Sequence, residues 1–457
     1  MRLAMLLGPD LEALTSDPEA LKETFEEFHP EDVAELLEDL PASTVTGLVR
    51  ALPPEMGADL VERLSPDRQE QVIMELRPTV AAGLLAELDP DDRVDLLQEL
   101  EERDARKLLA QLATDEPEKH EETQELLAFE PESAGGLMTT EYVGLAPDMK
   151  LWEAVEEVRR LSRENEAETI HYVYVVGFGD KLLGVISLRD LILADPGQTL
   201  ADVMSEKVMR VPPETDQEEV ARLIARYDLT AMPVVDPQEG MLGVVTVDDV
   251  VDVVIEEATE DAQKQGGVVP LEDTYFSTGL VEFVWKRGIW LIVLFLGQLL
   301  TATVMEQNRE TLLATVELAL FIPLIIASGG NAGSQSSTLI IRAMAVGEAK
   351  PRDWTRVLAR ELFIGMALGV ILGLMGFARG YFGGGGLDPL SFATAIGASI
   401  LAIVTLSTMI GSLLPMLIRR VGLDPAVSST PFIASVVDVL GLIVYFGVAR
   451  AILAALV

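Results

Sequence analysis

Thr430-Pro-Phe-Ile-Ala-Ser-Val-Val-Asp-Val-Leu-Gly-Leu-Ile-Val-Tyr445 sets one carboxylate, Asp438, in the middle of the last apolar helix of a 457-residue chain. A carboxylate at bilayer depth costs several kcal/mol and tends to mark an ion or proton path. Arg450 lies three turns away, and no Lys or Arg stands at helix-neighbour spacing. Two readings follow. Asp438 is a cation site facing water or a pore, or it is paired with an arginine on another helix or kept protonated. Thr430, Ala434, Asp438 and Gly441 fall three or four apart, so one helix face could line a path.

Working outward, the last third of the chain is almost uninterrupted hydrocarbon. Five runs are long enough to span a bilayer, near 285–305, 312–345, 355–379, 390–418 and 427–457. The second contains Gly329-Gly-Asn-Ala-Gly-Ser-Gln-Ser336, a small and polar stretch read as a break at membrane depth. Such a break is tolerated where it is buried in protein or lines a water-filled path. Small residues also serve close helix packing. Asn331, Ser334 and Gln335 favour a polar lining. With the N-terminus in the cytoplasm, Lys286, Arg287, Arg342, Lys350, Arg352, Arg356, Arg360, Arg419 and Arg420 flank the inner side. Only Arg309, Arg379 and Arg450 flank the outer side, and this asymmetry orients the chain.

The charge is split as cleanly as the hydropathy. Residues 1–279 carry 64 acidic and 22 basic side chains, and residues 280–457 carry 10 and 12. An acidic lobe beside a membrane attracts cations and repels nucleic acid. With no cysteine and three scattered histidines, the ligand inventory is carboxylate and carbonyl oxygen, which suits hard divalent cations. Met1–Gly8 is too short an apolar run for a signal peptide. No G-x-x-x-x-G-K-[ST] loop is present, which disfavours an ATP-driven pump. No nucleophile–base constellation recommends an enzyme.

Two repeats organise the acidic part. Phe28, Leu40, Leu52, Leu64, Leu76, Leu88, Leu100 and Leu112 recur every twelve residues across 21–112, with Pro30, Pro41, Pro53, Pro66, Pro78 and Pro90 close behind. Each unit reads as a short helix closed by a proline turn, stacked on its neighbours. Asp59, Asp91 and Asp95 are read as acids facing solvent. Asp91/Asp95 and Glu257/Asp261 are like-charge pairs at i,i+4, which destabilise a helix unless a cation intervenes.

The second repeat spans about 137–255. Leu183-Gly-Val-Ile-Ser-Leu-Arg-Asp190 matches Leu242-Gly-Val-Val-Thr-Val-Asp-Asp249. Strands Tyr172–Val176 and Pro233–Val235 precede the two copies, with Leu137-Met-Thr139 and Val203-Met-Ser205 further upstream. This tandem β-α-β-β-α pattern resembles a pair of CBS domains. In such pairs Ser187, Arg189 and Asp190 could hold a nucleotide, ATP being the candidate. Equally, Ser187 and Thr246 could simply cap a strand-to-helix turn. Asp249, Asp252, Glu256 and Glu260 share one face of the helix that follows, before Gly266-Gly267 and Pro270 interrupt it.

The expected architecture is multidomain. An acidic α-helical superhelical repeat domain (1–130) precedes a tandem α/β CBS module (131–254), a linking helix (255–280) and an all-α transmembrane domain of five helices (281–457). The order resembles the MgtE family of magnesium channels across nearly the whole chain. Gly135-Gly136, Leu137-Met-Thr, Asp216-Gln-Glu-Glu-Val220, Thr246-Val-Asp-Asp249 and Arg419-Arg-Val-Gly-Leu-Asp-Pro425 read like that family.

The resemblance implies a Mg2+ channel of the plasma (inner) membrane, a homodimer with its pore at the subunit interface and Asp438 as the pore ligand. Gly330, Asn331, Thr430 and Ala434 would line the pore. It implies a linking helix that plugs the pore when intracellular Mg2+ bridges acids. Those acids would be Asp59, Asp91 and Asp95; Asp216, Glu218, Asp228, Asp249 and Asp252; Glu257, Glu260 and Asp261; and Asp424. Family members often carry Asn where Thr430 and Ser334 stand here. Mn2+, Co2+ and Ni2+ are further candidate ions, and membrane lipid surrounds the spans. The competing readings are a proton- or sodium-coupled divalent carrier and a membrane-anchored CBS nucleotide sensor.

Overall fold

The computed structural model describes residues 28–453, apart from 39, 165–166, 168, 272–274, 276–277 and 384–387. The expectations for Met1–Gly8, for the start of the first repeat at 21–27 and for 454–457 lie outside the described residues. The chain forms two compact units, residues 1–256 and 257–457.

Among the described residues, the first unit begins with eight short helices: α1 (Pro30–Glu38), α2 (Ala42–Ala51), α3 (Pro54–Glu62), α4 (Pro66–Glu75), α5 (Pro78–Glu87), α6 (Pro90–Glu99), α7 (Glu102–Asp115) and α8 (Pro117–Leu126). Proline starts α3, α4, α5, α6 and α8, where a missing N–H costs nothing. Leu52, Leu76, Leu88 and Leu100 follow α2, α4, α5 and α6 in extended conformation, ending each helix. These leucines and Leu64 are buried in one shared core with Leu37, Leu48, Leu85 and Leu97. The twelve-residue period thus encodes both helix length and the inward-facing turn.

The α/β part contains β1 (Tyr142–Leu145), α9 (Leu151–Glu164), β2 (Thr169–Val176), β3 (Leu182–Ser187), α10 (Leu188–Leu193) and α11 (Leu200–Val203). It continues with α12 (Gln217–Tyr227), β4 (Ala231–Val235), β5 (Met241–Thr246) and α13 (Val247–Gln265). β1 lies parallel to β2 and β2 antiparallel to β3, with Tyr172 opposite Ser187. β4 and β5 pair antiparallel, with Ala231 opposite Thr246. The second repeat departs from the expected pattern: its first strand is reduced to a parallel bridge, Val211 to Val234.

The two halves exchange their leading segments. Thr139 pairs with Val244 of the second sheet, and Ser205 pairs with Val185 of the first. The glycine of each Leu-Gly-Val motif permits this approach. A Cβ on Gly243 would stand 2.4 Å from Thr139 O, and one on Gly184 would stand 2.6 Å from Met204 Sδ.

Among the described residues, the second unit holds five helices long and apolar enough to cross a membrane. They are α14 (Leu280–Gln307), α16 (Val316–Ala345), α17 (Trp354–Tyr381), α18 (Pro389–Arg420) and α19 (Thr430–Leu453), with a short α15 (Arg309–Ala314) between the first two. The second span therefore starts at Val316 rather than 312, because the chain turns at Thr315. The last starts at Thr430 rather than 427, because Pro425–Val427 form a separate 3-10 turn. The expected break at Gly329–Ser336 is compositional only, since α16 runs unbroken through it. Its backbone stays hydrogen-bonded within the helix, as lipid requires.

Candidate cation site

Asp438 sits partly buried on α19, on the face that meets the glycine-rich stretch of α16. A Cβ on Gly330 would lie 3.7 Å from Ala434 Cβ and 4.0 Å from Asp438 Oδ1. Gly330, Ala434 and Asp438 thus come together across the two helices. Thr430 is one turn earlier, and its carbonyl accepts a 3.5 Å hydrogen bond from Ser334 Oγ. Asn331 is exposed. The other glycines of the stretch do the packing. A Cβ on Gly329 would stand 2.6 Å from Ile403 Cγ2, and one on Gly333 would stand 3.1 Å from Ile433 Cγ2. Across from Gly333, a Cβ on Gly411 of α18 would reach 2.1 Å from Gly333 O. The packing reading of Gly329–Ser336 therefore applies to Gly329 and Gly333, while Gly330 faces Asp438.

Two polar groups near this site escaped the sequence reading. Gln298 of α14 reaches Asp438, with its Nε2 3.4 Å from Oδ2. Glu361 of α17 accepts a 2.8 Å hydrogen bond from Ser336 Oγ, and its own carbonyl accepts one from Thr408 Oγ1 at 3.2 Å. Each lies in an apolar run, and that alone was the available signal.

At the foot of the last span, Asp424 caps its turn by accepting from Ala426 N at 2.8 Å. Lys264 Nζ, on α13, lies 2.8 Å from Asp424 Oδ2 and 2.7 Å from Glu260 Oε2. Burial raises the pKa of Asp261 and Asp424 adds repulsion, while Lys264 opposes both. Glu257 precedes them by one turn on the same helix. Beyond the helix end, Gly267 adopts φ 72°, and a Cβ there would lie 3.4 Å from Ser429 Oγ and Pro431 Cγ.

In the first unit a separate group of acids forms, and it overlaps the expected set in part. Asp91 is buried rather than solvent-facing, because α6 is covered on both sides by its neighbours in the array. Asp59 already pairs with Arg63 at 2.9 Å. The acids that crowd together are Asp95 and Asp249 of the expected set, joined by Glu62, Asp89 and Asp92. Burial pushes Asp92 up to about 8, helped by Glu62, Asp89, Asp249 and Asp95. Glu62 rises to about 7, through burial opposed by Arg63 and aided by Asp59 and Asp89. The Asp95 side chain reaches solvent. The protein around it and the charges of Asp249, Glu99 and Glu256 still raise it to about 7, and the repulsion is the firmer of the two causes. Asp249 rises by burial, opposed by a hydrogen bond from Thr246 and reinforced by Asp248 and Asp252. Asp252 rises through burial, Asp248 and Glu31.

The remaining acids stand apart. Asp216 caps the start of α12, accepting from Glu218 N at 3.0 Å, and Asp228 ends it in the left-handed region at φ 52°. Eleven residues of helix separate the two, about 16 Å by helix rise, so they do not share one ion. Among the described residues, no three His, Asp or Glu side chains converge as a metal cage.

Ser187 caps α10: its Oγ accepts from Asp190 N at 3.1 Å and donates to Asp190 Oδ2 at 2.7 Å. Arg189 is exposed beside them. Thr246 likewise donates to Asp249. The capping role is therefore met at Ser187, while Thr246 ties the Asp249 carboxylate to the strand end.

Five apolar spans, a carboxylate within the last of them against a glycine-rich helix and an acidic soluble part are the features of a membrane transporter for cations. Comparison with known proteins is specific. A family described as "MgtE: Divalent cation transporter" matches residues 322–448, the MgtE intracellular N domain matches 28–132, and CBS domains match 134–197 and 200–256. A magnesium transporter MgtE from Thermus thermophilus is 42% identical over 340 residues, 74% of each chain. One from Enterococcus faecalis is 38% identical over 334 residues, 72% of this chain and 71% of its own. A crystal structure of the soluble part of a magnesium transporter is 36% identical, covers 56% of this chain and 97% of its own, and superposes with a TM-score of 0.52. The chain belongs to the MgtE family, a family of transporters and not of enzymes.

Proposed function

We propose that the protein conducts Mg2+ across the plasma membrane along the α16–α19 seam, with Asp438 as the ion-binding carboxylate. The facing of Asp438 and Ala434 onto Gly330 carries this reading. A glycine opposite a carboxylate leaves room for a hydrated ion, and one charge per subunit binds without trapping. Two copies of the chain would supply two such carboxylates across a shared axis.

Internal Mg2+ closes the pathway by bridging acids. The acids of α3, α6 and α13 repel one another without a divalent ion, and a shared cation relieves that repulsion. The end of α13 packs at Ser429 and Pro431, where α19 begins, so its position is coupled to the span that carries Asp438. Ser187, Arg189 and Asp190 remain the candidate nucleotide contacts of the CBS pair. The proposed orientation sets residues 28–256 in the cytoplasm.

The test is Mg2+ uptake into proteoliposomes. Asp438→Ala is expected to abolish uptake while the protein still inserts. Wild-type uptake by that variant would remove Asp438 from the path. Uptake that requires a proton gradient would favour a coupled carrier.

A further inference from the structure

Gln298 is the sole amide between Gly288 and Met305, a stretch of apolar and small residues on α14. An amide facing lipid costs free energy unless it finds a partner. Here the partner is the one carboxylate of α19, since Gln298 Nε2 lies 3.4 Å from Asp438 Oδ2. An ionised carboxylate accepts only, so the amide must turn its NH2 group to Asp438. That leaves the Oε1 carbonyl of Gln298 free of this partner. Asp438 Oδ1 meanwhile points across to Gly330. One helical turn on, Thr301 Oγ1 is buried and has no hydrogen-bond partner among the described residues. Residues three apart share a helix face. Gln298 of one helix and Asp438 of a second thus meet beside the glycine of a third, with Thr301 one turn along on the Gln298 face.

We propose that Gln298 is a specificity-determining residue of the ion path. It holds the Asp438 carboxylate in one orientation and presents an amide carbonyl to the water shell of the passing Mg2+. This inference rests on Asp438 being the ion-binding carboxylate. A neutral carbonyl suits a hard, strongly hydrated cation and adds no charge that would slow release. Ions with a looser or softer ligand preference gain less from it. Removing the amide should therefore weaken Mg2+ binding more than Co2+ binding.

The test uses the full-length chain in proteoliposomes, with Mg2+ alone and then with Co2+ alone. Gln298→Leu is expected to raise the half-saturating Mg2+ concentration about tenfold, the scale of one hydrogen bond to a charged group. The Co2+ value should move less, so the preference between the ions narrows. Gln298→Glu keeps the length and adds a charge. It is expected to lower the half-saturating concentration and the maximal rate together. Wild-type half-saturation and ion preference in both Gln298 variants, with Asp438→Asn inactive, would overturn the role of Gln298 and leave the path intact. Wild-type uptake by Asp438→Asn would instead overturn the path itself, and this inference with it.

Discussion

Lys264 and Asp424, 160 residues apart in sequence, meet at 2.8 Å between Nζ and Oδ2. The same ammonium lies 2.7 Å from Glu260. Burial disfavours its charge, but hydrogen bonds to Asp424 and Glu260 outweigh that and raise the lysine pKa above its ordinary range. A cation of the chain's own thus stands among acids that a divalent ion would otherwise share.

Lys264→Met should uncover that charge. In divalent-free buffer the variant is expected to melt lower by about 2–4 °C, the effect of about 1 kcal/mol in a unit of this size. The rise in melting temperature on adding Mg2+ should then exceed that of the wild type, because three acids compete for one fewer positive charge. Thermal unfolding in Mg2+, with NaCl at equal ionic strength as the control, measures both. An unchanged Mg2+ increment would separate Lys264 from any divalent site.

Arg93 should matter more to stability than any other charge of the helical array. It is fully buried, and its guanidinium donates to Leu85 O at 2.8 Å, Leu88 O at 2.9 Å, Thr123 Oγ1 at 3.2 Å and Glu122 Oε2 at 3.2 Å. Arg93→Met leaves those acceptors without their donor, at a cost of about 3 kcal/mol or more. Urea denaturation followed by circular dichroism should show the midpoint shift. A shift within error would mean that the pocket repacks around the methionine.

Glu141 gives the pH dependence a sign. Burial lifts it to about 7, with Asp89 and Glu122 adding repulsion and Lys119 and Arg93 opposing. Its folded pKa thus lies above the unfolded value, so the folded state binds more protons between about pH 4.5 and 7. The proton-linked stability is present at the acid end, falls as pH rises through that window and is flat above it. Glu141→Gln should remove part of that fall. Melting temperatures from pH 5 to 8 in divalent-free buffer test this, and parallel curves for wild type and variant would refute it.

Some of this was written plainly in the chain. Asp438 stands out because nothing else in its helix is ionisable until Arg450. The doubled Leu-Gly-Val motif marks the two α/β halves because strand, glycine and cap recur in fixed order. The twelve-residue leucine period announces the array because each turn must send one apolar side chain inward. What misled was local. Gly329–Ser336 looks like a helix break by propensity, but packing against Ile403, Ile433 and Val437 overrides it. Asp91 looked exposed because solvent faces were inferred one helix at a time, whereas an array covers more than one face of each. Lys264, Gln298 and Glu361 were missed because their partners come from distant segments, and no spacing rule joins residue 298 to residue 438.

The pairing of α17 with α18 has a practical consequence. Gly365, Gly369, Gly373, Gly376 and Gly380 are all buried on one stripe, and a Cβ on Gly373 would stand 2.8 Å from Gly397 O. Backbones this close leave no slack for sliding, so the two helices form a fixed internal ruler. Phe363 and Leu374 project outward from it, 71% and 65% exposed. Spin labels at those positions would supply a stationary origin. Distances from them to a label on α19 would then record how far the Asp438 helix travels when the divalent ion is withdrawn.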